Sequence, residues 1–175
     1  GNDDIKWETT TQHNIGLDFG ILGNEIYGSF DWYNKKTKDI LLLMDGIAAM
    51  GEGAAQWINA GEVKNNGWEF TVGYRHALPN GFSWDINGNI SKYSNEITKL
   101  PETVAAKGTY GGNGVKSVVG HAMYSQVGYI YDGIFKSQDE IDNHAVQEGA
   151  GLGRIRYKDL NGDGRITEED QDWIY

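Results

Sequence analysis

Any chemistry in this chain has to come from oxygen ligands. Residues 159–170 place Asp159, Asn161 and Asp163 at alternate positions, followed by Arg165, Thr167 and Asp170, which is the spacing of a twelve-residue calcium loop. A hard cation needs converging oxygens. This pattern offers side-chain oxygens at Asp159, Asn161 and Asp163, the backbone carbonyl of Arg165 and a closing carboxylate at Asp170. Gly164 suits the sharp turn, and Thr167 can hold a water. The shorter Asp at the twelfth position, where a bidentate Glu is usual, lowers the expected affinity for Ca2+. No helical pattern precedes the loop, so the motif is a calcium-type loop and not a helix–loop–helix domain. The same residues also suit an Asn/Asp/Gly turn closed by its own hydrogen bonds. The sequence leaves both readings open.

No second constellation competes with it. His13, His76, His121 and His144 are scattered without metal-like or triad-like spacing. Gly111, Gly112, Asn113 and Gly114 lack the lysine and the strand-to-helix context of a phosphate loop. Cysteine is absent, which excludes disulfides and thiolate metal sites. The formal charge of −10 argues against a nucleic-acid partner. With no catalytic constellation, an enzyme is not expected.

The elements that would carry the loop are strands. The chain has 25 glycines and 2 prolines, a composition that helices tolerate poorly and turn-rich β proteins use. In residues 14–33, Ile15, Leu17, Phe19 and Ile21 alternate with Gly16, Asp18 and Gly20. Beyond Gly23 and Asn24, Ile26, Phe30 and Trp32 alternate with Tyr27, Ser29 and Asp31. Successive strand side chains point to opposite faces, so each run has one apolar face, and the Gly-Asn pair marks a hairpin turn. Trp68, Phe70, Val72 and Tyr74, then Phe82, Trp84, Ile86 and Ile90, repeat the pattern around a short turn at 76–81.

One apolar face fits two solvents. A soluble, secreted, calcium-dependent β-sandwich for binding or adhesion would cover it with a second sheet. A membrane barrel would turn it to lipid and leave the other face wet. The mean hydropathy of −0.55 does not exclude a barrel, since half of each barrel strand is polar. The runs are long enough for the 9–11 residues that a tilted strand needs to cross a bilayer. The connections alternate short, long, short, as barrel turns and loops do.

Beyond the periodicity, the wording of the chain is informative. Residues 4–12, including Asp4, Trp7 and Glu8, together with the Asn14–Gly20 run and residues 31–39 from Asp31, Trp32 and Tyr33 onward, resemble SusC/RagA-like TonB-linked outer-membrane proteins. Residues 59–69 (Asn59, Ala60, Gly61 to Trp68 and Glu69), 131–135 and 157–164 resemble later landmarks of that family, in family order. The resemblance implies a large barrel of about 22 strands in the outer membrane of a Gram-negative, Bacteroidetes-like cell. It also implies import of oligosaccharides or peptides, a SusD-like surface lipoprotein as lid, coupling through TonB, and lipid around the wall. The plug, the TonB-contacting segment and the closing strands are expected outside these residues.

The resulting expectation is all-β: an antiparallel meander forming part of a transmembrane barrel wall. Residues 1–97 hold four strands near 10–22, 25–42, 63–77 and 81–96, with a long extracellular loop at about 43–62. Ile15, Leu17, Phe19, Ile26, Phe30, Phe70, Val72, Trp84 and Ile86 share the lipid face. If the turns at 22–25 and 77–81 are periplasmic, parity makes residues 98–175 one long extracellular loop. That loop carries an extended ribbon at 124–135, a short helix at 137–145 capped by Ser137 and Glu140, and the calcium-type loop.

Overall fold

The computed structural model describes residues 4–44 and 55–174. Two compact units divide the chain, Gly1–Leu100 with Gly120–Ala122, and Pro101–Val119 with Met123–Tyr175.

The first unit is one antiparallel sheet. Its strands are β1 (Thr9–Ile21), β2 (Ile26–Met44), β3 (Gln56–Ala77) and β4 (Ser83–Lys99), hydrogen-bonded in the order β1-β2-β3-β4. This is the expected meander: β1 and β4 do not pair, so the sheet does not close on itself. The first turn is left-handed at Gly23 and Asn24, with φ of 66° and 69°, and the Glu25 N–H donates to the Leu22 carbonyl at 3.2 Å. Positive φ at both central residues matches the right-handed twist of a hairpin, which is why Gly and Asn occupy them. The β3–β4 turn closes by a Gly81 N–H bond to the Leu78 carbonyl at 3.0 Å.

The loop expected at 43–62 is much shorter. Leu41, Leu42, Leu43 and Met44 pair with Asn59, Ile58, Trp57 and Gln56, so the ladder continues where the sequence suggested a connection. Five successive apolar residues at 40–44 hide the period of two that would have marked a strand. Residues 45–54 lie outside the described ones. Asp39, with φ of 57°, sits at a register irregularity between Thr37 and Leu41. Above the irregularity, Leu42 is buried. Val63, in register with both Thr37 and Ile97, is also buried, as is Ile97. Ile97 carries a strap as well: its N–H donates to the His121 carbonyl at 2.9 Å and its carbonyl accepts from Gly120 at 2.8 Å. These bonds tie residues 120–122 to the first unit, although the sequence assigns them to the following loop.

The second unit is built from short elements. In chain order they are α1 (Glu102–Ala105), β5 (Gln126–Tyr129), β6 (Tyr131–Ile134), α2 (Gln138–Asp142), β7 (Ile155–Tyr157), a 3-10 turn at Glu168–Asp170 and β8 (Gln171–Ile174). The extended run expected at 124–135 is two strands, not one. β5 pairs with β8 and β6 with β7, with an irregularity between Tyr131 and Gly133, where φ is 119°. Helix α2 stops three residues before the expected 145. Ser137 caps it by accepting from Glu140 N–H at 3.2 Å, but the Glu140 carboxylate accepts from the Lys136 N–H at 2.8 Å, one residue beyond the N-cap N–H that a capping box would use. Phe135 is fully buried, with its N–H on the Arg154 carbonyl, its carbonyl on Gly153 and the His144 ring 5.2 Å away, edge-on.

Candidate functional site

Register places the side chains of the first unit in rows across its four strands. On one face these rows read Ile21, Ile26, Tyr74, Ile86; then Phe19, Gly28, Val72, Gly88; then Leu17, Phe30, Phe70, Ile90; then Ile15, Trp32, Trp68, Lys92. His76 and Trp84 extend the band at the turn end. All nine residues expected to share a face do share it. Nothing in the sheet covers them: Ile15 is 64% exposed, Leu17 61%, Ile86 66% and Ile90 59%. From His76 to Trp68 the band runs eight residue steps, about 27 Å of strand at about 3.4 Å per step. At a tilt of about 40° its height is roughly 21 Å, close to the apolar belt of about 25 Å of membrane barrels.

The next row changes chemistry at once. His13, Asn34, Asn66 and Ser94 follow, and beyond them Thr11, Lys36, Lys64 and Glu96. Aromatic residues mark both margins. Trp84 meets Tyr74 edge-on at 4.8 Å at the turn end, beside His76 paired with Glu25 at 3.2 Å, and Trp32 faces Trp68 at the other. Interfacial Trp and Tyr suit such margins because an amphipathic ring prefers the boundary between oil and water.

The opposite face is polar and self-bonded. The Tyr27 hydroxyl donates to Asp85 at 2.6 Å, the Arg75 guanidinium lies 4.2 Å from the Tyr27 ring centroid, and Asn95 donates to Asn65 at 2.7 Å. Asp18, Asp31, Glu69, Asn87 and Asn89 line the same face. Two tyrosine rings occupy the space beside glycines of the neighbouring strand, Tyr27 at Gly73 and Tyr33 at Gly67. A side chain at either glycine would collide with the ring. These pairings escape sequence reading, because the glycine and its ring stand about 30–50 residues apart and meet only once register is known.

The loop at 159–170 is held by its own hydrogen bonds. Asp159 accepts from Gly162 N–H at 2.7 Å and Gly164 N–H at 2.9 Å, Asn161 from Asp163 N–H at 2.9 Å, and Asp163 from Arg165 N–H at 2.8 Å. Asp170 is fully buried. One of its oxygens accepts from Leu160 N–H at 2.9 Å and, more loosely, Asn161 N–H at 3.4 Å. The other accepts from Thr167 N–H at 2.7 Å and the Thr167 hydroxyl at 3.4 Å. The Thr167 N–H does most to hold its carboxyl below the usual carboxylate range; burial opposes it, and the Leu160 and Asn161 N–H groups and the Thr167 hydroxyl add to the lowering. Four donors use the four lone-pair directions of a carboxylate, so the role visible for Asp170 is closing the loop. Asp159, Asn161, Asp163 and the Arg165 carbonyl are the remaining oxygen donors. Among the described residues, no three His, Asp or Glu side chains converge as a metal cluster would require. Nor do the histidines form a group: His13 and His76 lie at opposite margins of the band, His121 in the strap and His144 against Phe135.

Comparison with known proteins agrees with the wall-like geometry. The family described as "TonB dependent receptor-like, beta-barrel" matches residues 1–173. TonB-dependent receptor P3 of Formosa agariphila is 31% identical over 177 residues, covering 97% of this chain and 18% of the receptor. TonB-dependent receptor SusC of Bacteroides thetaiotaomicron is 39% identical over 99 residues, 57% of this chain and 10% of SusC. The fold is similar to that of the RagAB peptide transporter, with a TM-score of 0.65 at 21% identity, over 99% of this chain and 18% of that one. The chain thus spans 18% of the length of such relatives.

Proposed function

Because this chain belongs to the TonB-dependent receptor-like β-barrel family, we propose that it is a stretch of the wall of an outer-membrane importer for oligosaccharides or peptides, working with a SusD-like surface lipoprotein and energised through TonB. The observation that carries this reading is the uncovered apolar face on four long strands whose other face is polar. Lipid suits the first face, since the ladders of a closed barrel pair every backbone group within the wall and leave only apolar side chains to meet hydrocarbon. The second face lines a wet lumen, where Tyr27, Arg75, Asp85, Asn87 and Asn89 offer donors and acceptors to a passing polar solute. No bond of the solute needs to change, so this stretch acts as a boundary and not as a catalyst. The fold likeness to a peptide transporter supports the peptide class, and oligosaccharides stay beside it through the resemblance to SusC/RagA-like proteins.

On this reading the turns after β1 and β3 are periplasmic, and residues 98–175 lie outside the cell. Calcium is part of the same proposal: in the millimolar calcium outside a cell even a weak loop fills, and Asp159, Asn161, Asp163 and the Arg165 carbonyl are the ligands that remain once Asp170 closes the loop. An epitope tag inserted at residues 149–153 of the full-length receptor tests the orientation. Antibody should reach it on intact cells; labelling only after the outer membrane is permeabilised would overturn the proposed topology.

A further inference from the structure

Lys92 is the one Lys, Arg, Asp or Glu on the apolar face between the Ile21–Ile26–Tyr74–Ile86 row and the His13–Asn34–Asn66–Ser94 row, among the described residues. It stands at the margin where hydrocarbon side chains end. Directly across the strand pair is Trp68, then Trp32, and the row beyond brings Ser94 and Asn66 alongside. Among the described residues Lys92 makes no ion pair, and its side chain is exposed. The lysines farther out differ: Lys36 is bound to Glu62 at 2.7 Å, and Lys64 faces Glu96 in register. In a chain of net charge −10, the margin of the lipid face therefore carries a cation that, among the described residues, is flanked in register by an amide, a hydroxyl and an indole and by no carboxylate.

A lysine on such a face can reach out of the hydrocarbon along its own stem, placing its ammonium at headgroup depth, and Lys92 does so in register with Trp68. What lies at that depth is phosphate. From this charge complementarity we propose that Lys92, with Asn66 and Ser94 as neutral donors and Trp68 as the apolar shelf beneath, holds the phosphate of an outer-leaflet lipid headgroup against the barrel wall. The ammonium supplies the charge, the amide and hydroxyl donate to the remaining phosphate oxygens, and the Leu17–Phe30–Phe70–Ile90 row below receives the acyl chain. A bound lipid at this margin would fix the depth of the wall in the bilayer.

This inference rests on the outer-membrane reading above, and its test separates the two. Full-length receptor extracted from outer membranes into nonionic detergent is mixed with phosphatidic acid, and the lipids retained per receptor are counted by native mass spectrometry. Recovery of folded receptor from the outer-membrane fraction checks the first reading; its absence there would defeat that reading before any lipid is counted. Lys92→Gln should retain one phosphatidic acid fewer than the parent, or bind its tightest one about five-fold more weakly, the ~1 kcal/mol that one lysine contributes near an anionic headgroup. Lys92→Arg should retain the parent count, and so should Lys35→Gln, which alters a lysine on the opposite face. Equal counts for Lys92→Gln and the parent in folded receptor would overturn the proposal. Displacement of the lipid by inorganic phosphate at equal concentration would also overturn it, by showing a free-phosphate site.

Discussion

Asp170→Ala removes the side chain around which the second unit closes its acidic loop, and the cost follows from the bonds counted there. Two of the four contacts, from Leu160 N–H at 2.9 Å and Thr167 N–H at 2.7 Å, are short bonds to an ionised, fully buried carboxylate. The two at 3.4 Å contribute little. Hydrogen bonds to charged groups contribute roughly 1.5–3 kcal/mol each, so even the lower figure for two gives about 3 kcal/mol. Since about 1.4 kcal/mol is a factor of ten in an equilibrium constant, amides at 160 and 167 in the full-length receptor should exchange with deuterium roughly 100-fold faster in the variant. Asp170→Asn, with one carbonyl acceptor and an amide turned on the other donors, should fall between. The folded pKa lies below the unfolded carboxylate value of 3.8. The stabilisation is therefore complete above that pH and disappears as pH falls through the lower folded value. Protection at pH 7 and pH 5 should accordingly match in the parent. Exchange of residues 160 and 167 changing less than two-fold in Asp170→Ala would refute the reasoning, because the carboxylate would then not be holding the loop.

Three further outcomes follow from the sheet and the loop. Gly67→Ala places a methyl 2.9 Å from the Tyr33 ring and 2.8 Å from the Lys92 carbonyl, and should destabilise the barrel by about 1–3 kcal/mol in detergent unfolding, whereas Gly88→Ala, with nothing within 4 Å, should stay within about 0.5 kcal/mol; equal shifts would contradict the ring-to-glycine contact. Single cysteines at Thr71 and Asn89 should react with a membrane-impermeant maleimide in reconstituted receptor while those at Phe70 and Ile90 stay unlabelled, and the reverse pattern would exchange the two faces. Calcium should slow proteolysis at residues 159–170 in the parent and fail to do so in the Asp159→Ala, Asp163→Ala double variant; protection that ignores calcium in both would leave the loop as a hydrogen-bonded turn.

The hairpins were legible because a period of two is a local signal. Ile15, Leu17 and Phe19 against Gly16 and Asp18 state their faces within a few residues, and Gly23-Asn24 states its turn. The uninterrupted apolar run at 40–44 carries no alternation, so its pairing with residues 56–59 became visible only in the ladder. In the second unit the partners are distant: β5 finds β8 and β6 finds β7 across intervening helix and loop, so the break at Ile130 had no local marker. For the acidic loop, spacing named the oxygens but could not show that Asp159, Asn161, Asp163 and Asp170 all accept N–H bonds from the loop itself. Asp170 looks like a ligand in sequence because position twelve is a ligand position, and its burial under four donors is a tertiary fact.

The irregularity at Asp39 also bears on how such a wall can change length during evolution. Below Thr37 the β2–β3 ladder is unbroken through Ile26, so a one-residue insertion there would invert every side chain beyond it, sending Tyr33 or Glu69 toward hydrocarbon. Only paired insertions preserve the alternation in that stretch. At Asp39 the strand has already left the regular ladder, and the Asn59 amide, donating to the Asp39 carbonyl at 2.6 Å, spans the gap. An odd insertion at that point can be taken up as a bulge without reversing the rows beneath. Homologous chains should therefore vary by single residues near 39–40 and beyond, and by even numbers, or not at all, between 26 and 37.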